Sequence, residues 1–165
     1  MTVKVGLPPI ADEETRVFIL GSLPGERSLK EGRYYAHPRN QFWKLVGAVI
    51  GKDLHALPYD ERLPVLKRHG IGLWDVVGAA RREGSLDAAI RDASHNDIGG
   101  LKRAYPQLKA IAFNGGKAAK DGLPLLSGDQ GLKLYALPSS SPAYASMPLA
   151  KKTEAWVRLR EVVAP

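Results

Sequence analysis

Four short apolar runs constrain the fold more than any other feature of the sequence. They cover residues 15–20, 71–77, 108–113 and 132–137, and each has the length and aliphatic content of a buried strand. Segments with helical spacing separate and follow them. Strands that alternate with helices are typical of a parallel sheet covered by helices on both faces. The sequence therefore predicts an α/β fold, a three-layer α/β/α sandwich with a mostly parallel four-stranded central sheet.

The helices of this fold are predicted from apolar spacing and from residues that favour helix ends. The first begins just after Asn40 and stops at Gly51, and the second is closed by Gly70. A third is predicted where Ser94 and Asp97 offer N-terminal caps. In order, the predicted helices cover residues 42–50, 61–69, 94–105, 115–126 and 149–163.

The length and the absence of cysteine exclude several classes of protein. A chain of 165 residues suits one compact unit, so we treat residues 1–165 as a single domain. Without cysteine there is no disulfide framework, thiolate zinc site, thiol nucleophile or cysteine-bound iron–sulfur cluster. The four histidines form no ligand-like motif, so no metal or cofactor is expected. No apolar run is long enough to span a membrane and no secretory signal is evident, so we expect a cytoplasmic protein.

Positive charge is concentrated in two stretches of the chain. There are 24 lysines and arginines against 17 acids, which gives a net charge of +7. Residues 26–44 and 131–152 both have more cations than acids and are rich in glycine, proline, serine and tyrosine. Clustered positive charge favours a polyanionic partner, although a solvated basic surface would have the same composition.

The loops that follow the predicted strands are expected to meet. Ligands bind at the carboxyl ends of the strands in sheets of this kind. Here those ends are the loops after Leu20, Val77, Phe113 and Leu137. The sequence therefore predicts the functional site at this edge of the sheet.

The first of these loops has the residues of a ligand pocket. It begins with Gly-Ser-Leu-Pro-Gly at residues 21–25 and continues to Tyr34, Tyr35, His37 and Asn40, where a helix starts. Permissive glycines, an aromatic wall and a side-chain amide suit a planar heterocycle, and backbone amides at a helix start suit an anion. The alternative is an ordinary helix start, with core aromatics, a capping asparagine and a solvated histidine.

The last loop, residues 137–145, suits a phosphodiester backbone. It is rich in serine and proline and is followed by Lys151 and Lys152. Short hydroxyls and backbone amides can hold phosphate oxygens, and a proline-stiffened tip can enter a base stack. An ordinary serine-rich turn is the alternative. The sequence has no Gly-x-Ser-x-Gly elbow, P-loop, dinucleotide fingerprint or His-Glu-x-x-His motif.

Four segments in order resemble motifs of the uracil-DNA glycosylase superfamily. The Gly-Ser-Leu-Pro-Gly segment at 21–25 is similar to its first motif, and Leu-Pro-Ser-Ser-Ser at 137–141 is similar to its second. His-Pro-Arg-Asn-Gln-Phe-Trp at 37–43 resembles the signature of its mismatch-specific branch. Residues 111–117 resemble the strand, turn and helix before the second motif, and the match covers most of the chain.

Within this superfamily the chain is most similar to the hypoxanthine-DNA glycosylase branch, which is related to the mismatch-specific uracil and thymine-DNA glycosylases. The shared features include paired tyrosines before His-Pro and Leu-Trp-Asp at residues 73–75. The mismatch enzymes have an asparagine where this chain has Leu23, which cannot orient water. In the hypoxanthine branch the catalytic asparagine follows His-Pro, so the resemblance assigns that role to Asn40. No acid lies between Glu31 and Asp53, so strong general-base catalysis is not expected from this loop.

The resemblance implies a monofunctional DNA N-glycosylase of base-excision repair. Such an enzyme flips a deaminated base, hypoxanthine or uracil, out of DNA and hydrolyses its N-glycosidic bond to leave an abasic site. It also implies a monomer that binds DNA and carries no cofactor or iron–sulfur cluster. Three alternatives stay open: a glycosylase chiefly specific for uracil, a catalytically weak nucleic-acid-binding protein of the same fold, and a small-nucleotide-binding α/β protein.

The resemblance also assigns roles to individual residues. Asn40 would orient a water molecule or donate to the base, Tyr35 would stack on the flipped base, and His37 could stabilise negative charge that develops on it. The expected base-binding residues are Gly21, Ser22, Leu23, Pro24, Gly25, Tyr35, His37, Phe42, Asp75 and Asn114. The expected DNA-binding residues are Pro138, Ser139, Ser140, Ser141, Pro142, Ala143, Tyr144, Lys151 and Lys152. Pro142, Ala143 or Tyr144 would fill the space that the base leaves.

Overall fold

The computed structural model of the chain describes residues 2–126 and 131–165. Its strands are β1 (Val3–Val5), β2 (Val17–Gly21), β3 (Ile71–Asp75), β4 (Val77–Arg81), β5 (Arg91–His95), β6 (Ala110–Asn114) and β7 (Lys133–Leu137). Four of them form a parallel sheet in the order β3-β2-β6-β7. The predicted fold class is therefore confirmed.

Helices cover both faces of the parallel sheet. They are α1 (Glu26–Glu31), α2 (Phe42–Ile50), α3 (Tyr59–Arg68), α4 (Leu101–Ala104), α5 (Gly116–Gly122) and α6 (Leu149–Trp156), with 3₁₀ turns at Leu54–Ala56, Asp87–Ala89, Ile98–Gly100, Leu123–Leu125 and Val157–Glu161. On one face, residues of α2, α3 and α6 form a buried cluster that includes Phe42, Trp43 and Trp156. On the other, α4 and α5 pack over Phe18, Leu20 and Phe113.

The sheet's central strands are apolar because both of their faces are covered. Every residue of β2 and of β6 is buried, as expected for parallel strands between two helical layers. The local sequence also explains the position of α2, the helix after the first long loop. Its apolar residues face the core, and Gly51 ends it with a left-handed φ of 70°, a conformation that glycine adopts without steric cost.

The register of the parallel strands places several polar positions at one edge. Gly21 pairs with Asp75, Leu20 pairs with Phe113, and Asn114 pairs with Leu137. All four strands run in the same direction, so these residues and the loops after them lie at the carboxyl edge. The edge predicted for the site is the edge at which the loops meet.

A second sheet, with three antiparallel strands in the order β1-β4-β5, is not predicted by the sequence. The run predicted as one strand at 71–77 belongs to two strands, because β3 ends at Asp75 and β4 begins at Val77 in the second sheet. At this junction the N–H groups of Val76 and Val77 donate to the carbonyls of Gly21 and Ser22. The hairpin of β4 and β5 has its tip at residues 82–90.

Some predicted helix bounds are wrong. Residues 94 and 95 belong to β5, whose five residues are all exposed, so no apolar run marks it as a strand. Asp97 does act as a cap, but of the 3₁₀ turn at Ile98–Gly100, where its side chain accepts from the Gly100 N–H. The helices predicted at 115–126 and 149–163 both tighten into 3₁₀ turns before their predicted ends, and α1 was not predicted.

Within the described residues, no helix has both the length and the apolar content that crossing a membrane requires.

Candidate active site

A cavity of about 430 Å³ lies at the carboxyl edge of the parallel sheet. The loops after β2 and β7 surround it, together with Asp75 at the end of β3, Asn114 at the end of β6 and the tip of the β4–β5 hairpin. Its volume falls in the range of about 300–1,000 Å³ that is usual for small-ligand sites. Of the predicted site residues it is lined by Gly21, Ser22, Leu23, Pro24, Gly25, Tyr35, His37, Asn40, Asp75, Asn114, Ser139, Ser140, Ser141, Pro142, Ala143 and Tyr144.

Gly21 is required at the end of β2 because the Asp75 carboxyl occupies the space of a side chain. A Cβ at position 21 would lie 2.6 Å from Asp75 Oδ1 and 3.2 Å from the Tyr35 hydroxyl oxygen. Real Cβ atoms do not approach other atoms as closely as the first distance. The absence of a side chain at Gly21 therefore lets the carboxyl and the phenol converge on one end of the cavity.

Asp75 is a buried acid in the wall of this cavity. It is 4% exposed, and its Oδ2 is buried without a hydrogen-bond partner among the residues that the structure describes. Burial raises the pKa of Asp75 to about 7, and the nearby charge of Asp87 raises it as well, while Arg82 opposes the shift. Near neutral pH this carboxyl can therefore be protonated, and it then offers an O–H donor to a ligand.

The hairpin tip contributes cavity residues that the sequence did not indicate. Asp87 lines the cavity and accepts a hydrogen bond of 2.5 Å from the Ser22 hydroxyl. Ser85 Oγ accepts from the backbone N–H of Glu26. Arg82, which is 1% exposed, donates to the carbonyl oxygens of the two residues after Ser22. The hairpin tip thus holds the first motif in place and closes one side of the cavity.

The side chain of Leu23 has a structural role in the first motif. Leu23 lines the cavity but is only 6% exposed, and it packs with Val77 and Ala80 of β4 and with Ile90, which precedes β5. The leucine anchors the loop to the second sheet by hydrophobic burial. It offers no polar atom of its side chain to a ligand.

An aromatic stack forms another part of the wall. The rings of Tyr35 and Phe42 are parallel, with centroids 3.8 Å apart and an interplanar angle of 6°. Tyr35 has a φ of 53°, which is unusual for a residue with a side chain. Phe42 is fully buried behind it and does not line the cavity, so the prediction that Phe42 contacts a base is wrong.

Asn40 lies at the mouth of the cavity with a fixed side chain. Its Oδ1 accepts a hydrogen bond of 3.0 Å from the Phe42 N–H, which caps the start of α2. Its Nδ2 has no hydrogen-bond partner within residues 2–126 and 131–165. Asn40 therefore caps the helix with its Oδ1 and presents the N–H groups of its Nδ2 at the cavity. The two roles use different atoms of the same amide.

His37 is an exposed residue on the same rim. Its Nδ1 accepts from the backbone N–H of Arg39 at 3.1 Å. With Nδ1 acting as acceptor, the ring proton is on Nε2. That nitrogen can donate to a ligand.

Asn114 acts chiefly on the loop after β7. Its Oδ1 accepts from the Ser140 N–H at 2.9 Å, and its Nδ2 donates to the Ser140 hydroxyl at 2.9 Å and to the Tyr35 hydroxyl at 3.3 Å. Both amide hydrogens are used, so this residue positions the loop and the tyrosine. It lines the cavity without a free donor.

The loop at residues 139–144 is held by several local hydrogen bonds. The Ser139 hydroxyl accepts from the Ser141 N–H, and the Ser141 hydroxyl accepts from the Ala143 N–H, both at 3.1 Å. The Ser140 carbonyl accepts from the Gln41 N–H, which joins this loop to the start of α2. Tyr144 lies on its outer side and is 38% exposed.

Three of the expected DNA contacts are placed outside the cavity lining. Lys152 is 1% exposed, and its Nζ donates to Gln41 Oε1 at 2.9 Å, so the prediction that it contacts a phosphate is wrong. It supports the loop from beneath instead, 5.2 Å from the centre of the Tyr144 ring. Pro138 is half-buried and its carbonyl accepts from Trp156 Nε1. Lys151 is exposed and 3.6 Å from Glu154.

Comparisons with known proteins agree with this arrangement. The family model described as the uracil DNA glycosylase superfamily matches residues 8–160. A protein from Methanosarcina acetivorans named hypoxanthine DNA glycosylase is 48% identical over 141 residues, which are 86% of this chain and 88% of that protein. One of the same name from Methanosarcina barkeri is 49% identical over 117 residues, 71% of this chain and 74% of that protein.

A solved structure is similar over nearly the whole chain. It is a solution NMR structure of a candidate uracil DNA glycosylase from Methanosarcina acetivorans. It matches with a TM-score of 0.86 and 43% identity, and covers 97% of this chain and 98% of that one.

Proposed function

Because the chain belongs to the uracil DNA glycosylase superfamily, we propose that its cavity receives hypoxanthine flipped out of DNA and that Asn40 is the catalytic residue. The chain is a DNA N-glycosylase of base-excision repair that acts on deaminated bases. Its substrate is therefore DNA. The choice of hypoxanthine follows from the names of the two relatives, both of which are close to half identical to this chain.

The observation that carries the proposal is the fixed amide of Asn40 at the mouth of the cavity. Its Oδ1 is oriented by the Phe42 N–H, and its Nδ2 has no partner in the described part of the chain. Cleavage of an N-glycosidic bond develops positive charge on the sugar and negative charge on the departing base. A donor held in advance at the base, or a carbonyl that orients the attacking water, lowers the barrier without a reorganisation cost.

The remaining cavity residues bind and orient the base in this proposal. Phe42 covers one face of the Tyr35 ring, and the cavity side of Tyr35 stacks on the flipped base. His37 Nε2 donates to negative charge that develops on the base. The backbone of the first motif, held by the hairpin tip, closes the far side.

The rim of the cavity would meet the duplex. The hydroxyls of Ser139 and Ser141 contact phosphates, because each accepts a hydrogen bond from a backbone N–H of the loop and keeps its own O–H free to donate. Tyr144 and Leu86 are large hydrophobic residues on the cavity lining, 38% and 60% exposed, and Pro142 and Ala143 are exposed beside Tyr144; one of these four fills the space that the base leaves. Two exposed cations, Arg27 on the cavity lining and Arg39 between His37 and Asn40 of that lining in sequence, contribute charge that attracts DNA.

The test is base release from defined duplexes. Oligonucleotide duplexes that contain a single deoxyinosine, deoxyuridine or deoxyxanthosine are incubated with the protein and then treated with alkali, which cleaves the strand at an abasic site. We expect cleavage at deoxyinosine at the highest rate. Faster cleavage at deoxyuridine would make this chain a uracil enzyme, and binding without cleavage at any base would overturn catalysis by Asn40.

We further propose that the enzyme acts in the cytoplasm as a monomeric single domain without a cofactor. Sedimentation of the purified chain with and without a duplex tests the monomer. A mass near 17.9 kDa for the free chain is expected, and a larger mass would contradict it.

A further inference from the structure

The buried carboxyl of Asp75 is not explained by the packing of the fold. It lies at the end of β3, lines the cavity, and has a buried Oδ2 that no described residue satisfies. A buried polar atom without a partner costs stability, so it calls for an explanation. Oδ2 itself is closed to a ligand, but neither carboxyl oxygen has a hydrogen-bond partner among the described residues, and the 4% of Asp75 that is exposed allows a ligand in the cavity to partner the carboxyl.

The groups around Asp75 favour its neutral form. The Asp87 carboxylate at the hairpin tip adds negative charge, and burial removes water from the carboxyl. Arg82 is the cation that acts against both, but its guanidinium donates to backbone carbonyls of the first motif. The phenols of Tyr34 and Tyr35 are close enough that the charge of Asp75 raises the pKa of each, so they add no positive charge.

We propose that Asp75 is the proton donor to the leaving base, through its carboxyl O–H and the N7 nitrogen of hypoxanthine. This inference rests on the proposed function, since it needs a purine in the cavity. The raised pKa of Asp75, about 7, keeps the proton available near neutral pH. A base that accepts a proton as it departs is a neutral leaving group, which is easier to expel than an anion.

The atoms balance in the following way. The bond between N9 of hypoxanthine and C1′ of the sugar breaks, and its electron pair stays on the base. The Asp75 proton moves to N7, so the base leaves as neutral hypoxanthine. Water adds to C1′ and loses a proton to bulk solvent, and Asp75 takes a proton from solvent once the base has left.

A proton donor at this position also contributes to base selection. Hypoxanthine has an imidazole ring nitrogen with a free lone pair, whereas uracil has only carbonyl oxygens as acceptors. Asp75 can hydrogen-bond to uracil but has no ring nitrogen to protonate. Loss of Asp75 should therefore slow the release of hypoxanthine much more than the release of uracil.

The experiment compares single-turnover rates of the wild type and Asp75→Asn across a pH series, on duplexes with one deoxyinosine or one deoxyuridine. For the wild type we expect a rate on deoxyinosine that falls about tenfold per pH unit above the pKa of Asp75. For Asp75→Asn we expect a loss of at least about 100-fold on deoxyinosine and a flat profile in that range. On deoxyuridine the loss should be less than about tenfold.

A matched control and an altered substrate make the result specific. Asp92→Asn makes the same chemical change at an exposed carboxylate on β5, outside the cavity lining, and should keep the wild-type rate and pH profile. A duplex with 7-deaza-2′-deoxyinosine has no N7 acceptor, so Asp75→Asn should cost less than about threefold on it. Circular dichroism of each variant reports whether it is folded.

The outcomes separate the inference from the proposed function. No hypoxanthine release by the wild type would overturn the proposed function and the role of Asp75 with it. Release by the wild type, with an Asp75→Asn variant that keeps both its rate and its pH profile, would overturn the role of Asp75 alone. Equal losses on deoxyinosine and deoxyuridine would also overturn it, because they would indicate a general structural effect.

Discussion

Replacement of Asp75 by asparagine should stabilise the protein above neutral pH. In the folded chain the pKa of Asp75 is raised from 3.8 to about 7, so folding favours the protonated acid. The unfolded chain releases this proton at lower pH, and between the two values it binds fewer protons than the folded chain. The free energy of unfolding therefore falls as pH rises from about 4 to about 7, and levels off above that.

The size of this effect follows from the shift. A shift of about 3 pKa units corresponds to about 4 kcal/mol of lost stability once the acid is fully ionised in both states. Between about pH 5 and about pH 8 the wild type should lose roughly 2.5 kcal/mol from this one group. Asparagine does not titrate, so the Asp75→Asn variant should lack that loss.

The assay is urea unfolding of both proteins at a series of pH values. The difference in unfolding free energy, variant minus wild type, cancels the titration of all other groups to first order. We expect this difference to rise by roughly 2.5 kcal/mol from about pH 5 to about pH 8. Asp87→Asn should lower the pKa of Asp75 and move its transition to lower pH. A difference that does not change with pH would refute a raised pKa at Asp75.

Three further substitutions test the site. Asn40→Asp keeps an oxygen for the Phe42 N–H but removes the free amide donor. Single-turnover base release should therefore fall by about 100-fold or more, with little change in melting temperature. A rate within about threefold of wild type would remove the amide from the mechanism. Gly21→Ala should abolish base release because the added Cβ would displace the Asp75 carboxyl. Gly116→Ala is the control and should keep base release, because no atom lies within 4 Å of its added carbon. Equal activity of the two variants would contradict this reasoning. Arg39→Ala should reduce the slope of log affinity against log salt by about 0.9 if its guanidinium neutralises one phosphate, and an unchanged slope would place that contact elsewhere.

The parallel sheet could be predicted because its strands are buried on both faces. Residues of β2 and β6 form apolar runs for that reason, and the glycine that ends α2 marks a helix end in the sequence. The exposed strand β5 has no such run, since it lies at the edge of a small sheet and every residue in it meets solvent. Its pairing with β4 spans a tip at residues 82–90, which is longer than the short turn that marks a hairpin in a sequence, so the polar residues near position 96 are wrongly interpreted as a helix start.

The candidate site could be predicted in part for a related reason. The motif segments with Asn40 and Ser140 are local patterns, and the sheet brings their loops to one edge. Asp87 has no local pattern, because its place at the cavity depends on a hydrogen bond with Ser22, 65 residues away. Lys152 was misassigned because a lysine in sequence carries no sign of burial, and only the Gln41 side chain 111 residues earlier explains it.

The most direct test of the central claim is the structure of Asn40→Asp bound to a duplex with a single deoxyinosine. We expect the hypoxanthine to lie in the cavity with its N7 edge toward Asp75 and the flanking phosphates against the 139–144 loop. Hypoxanthine that is stacked inside the duplex while the cavity faces away from the DNA would contradict the account.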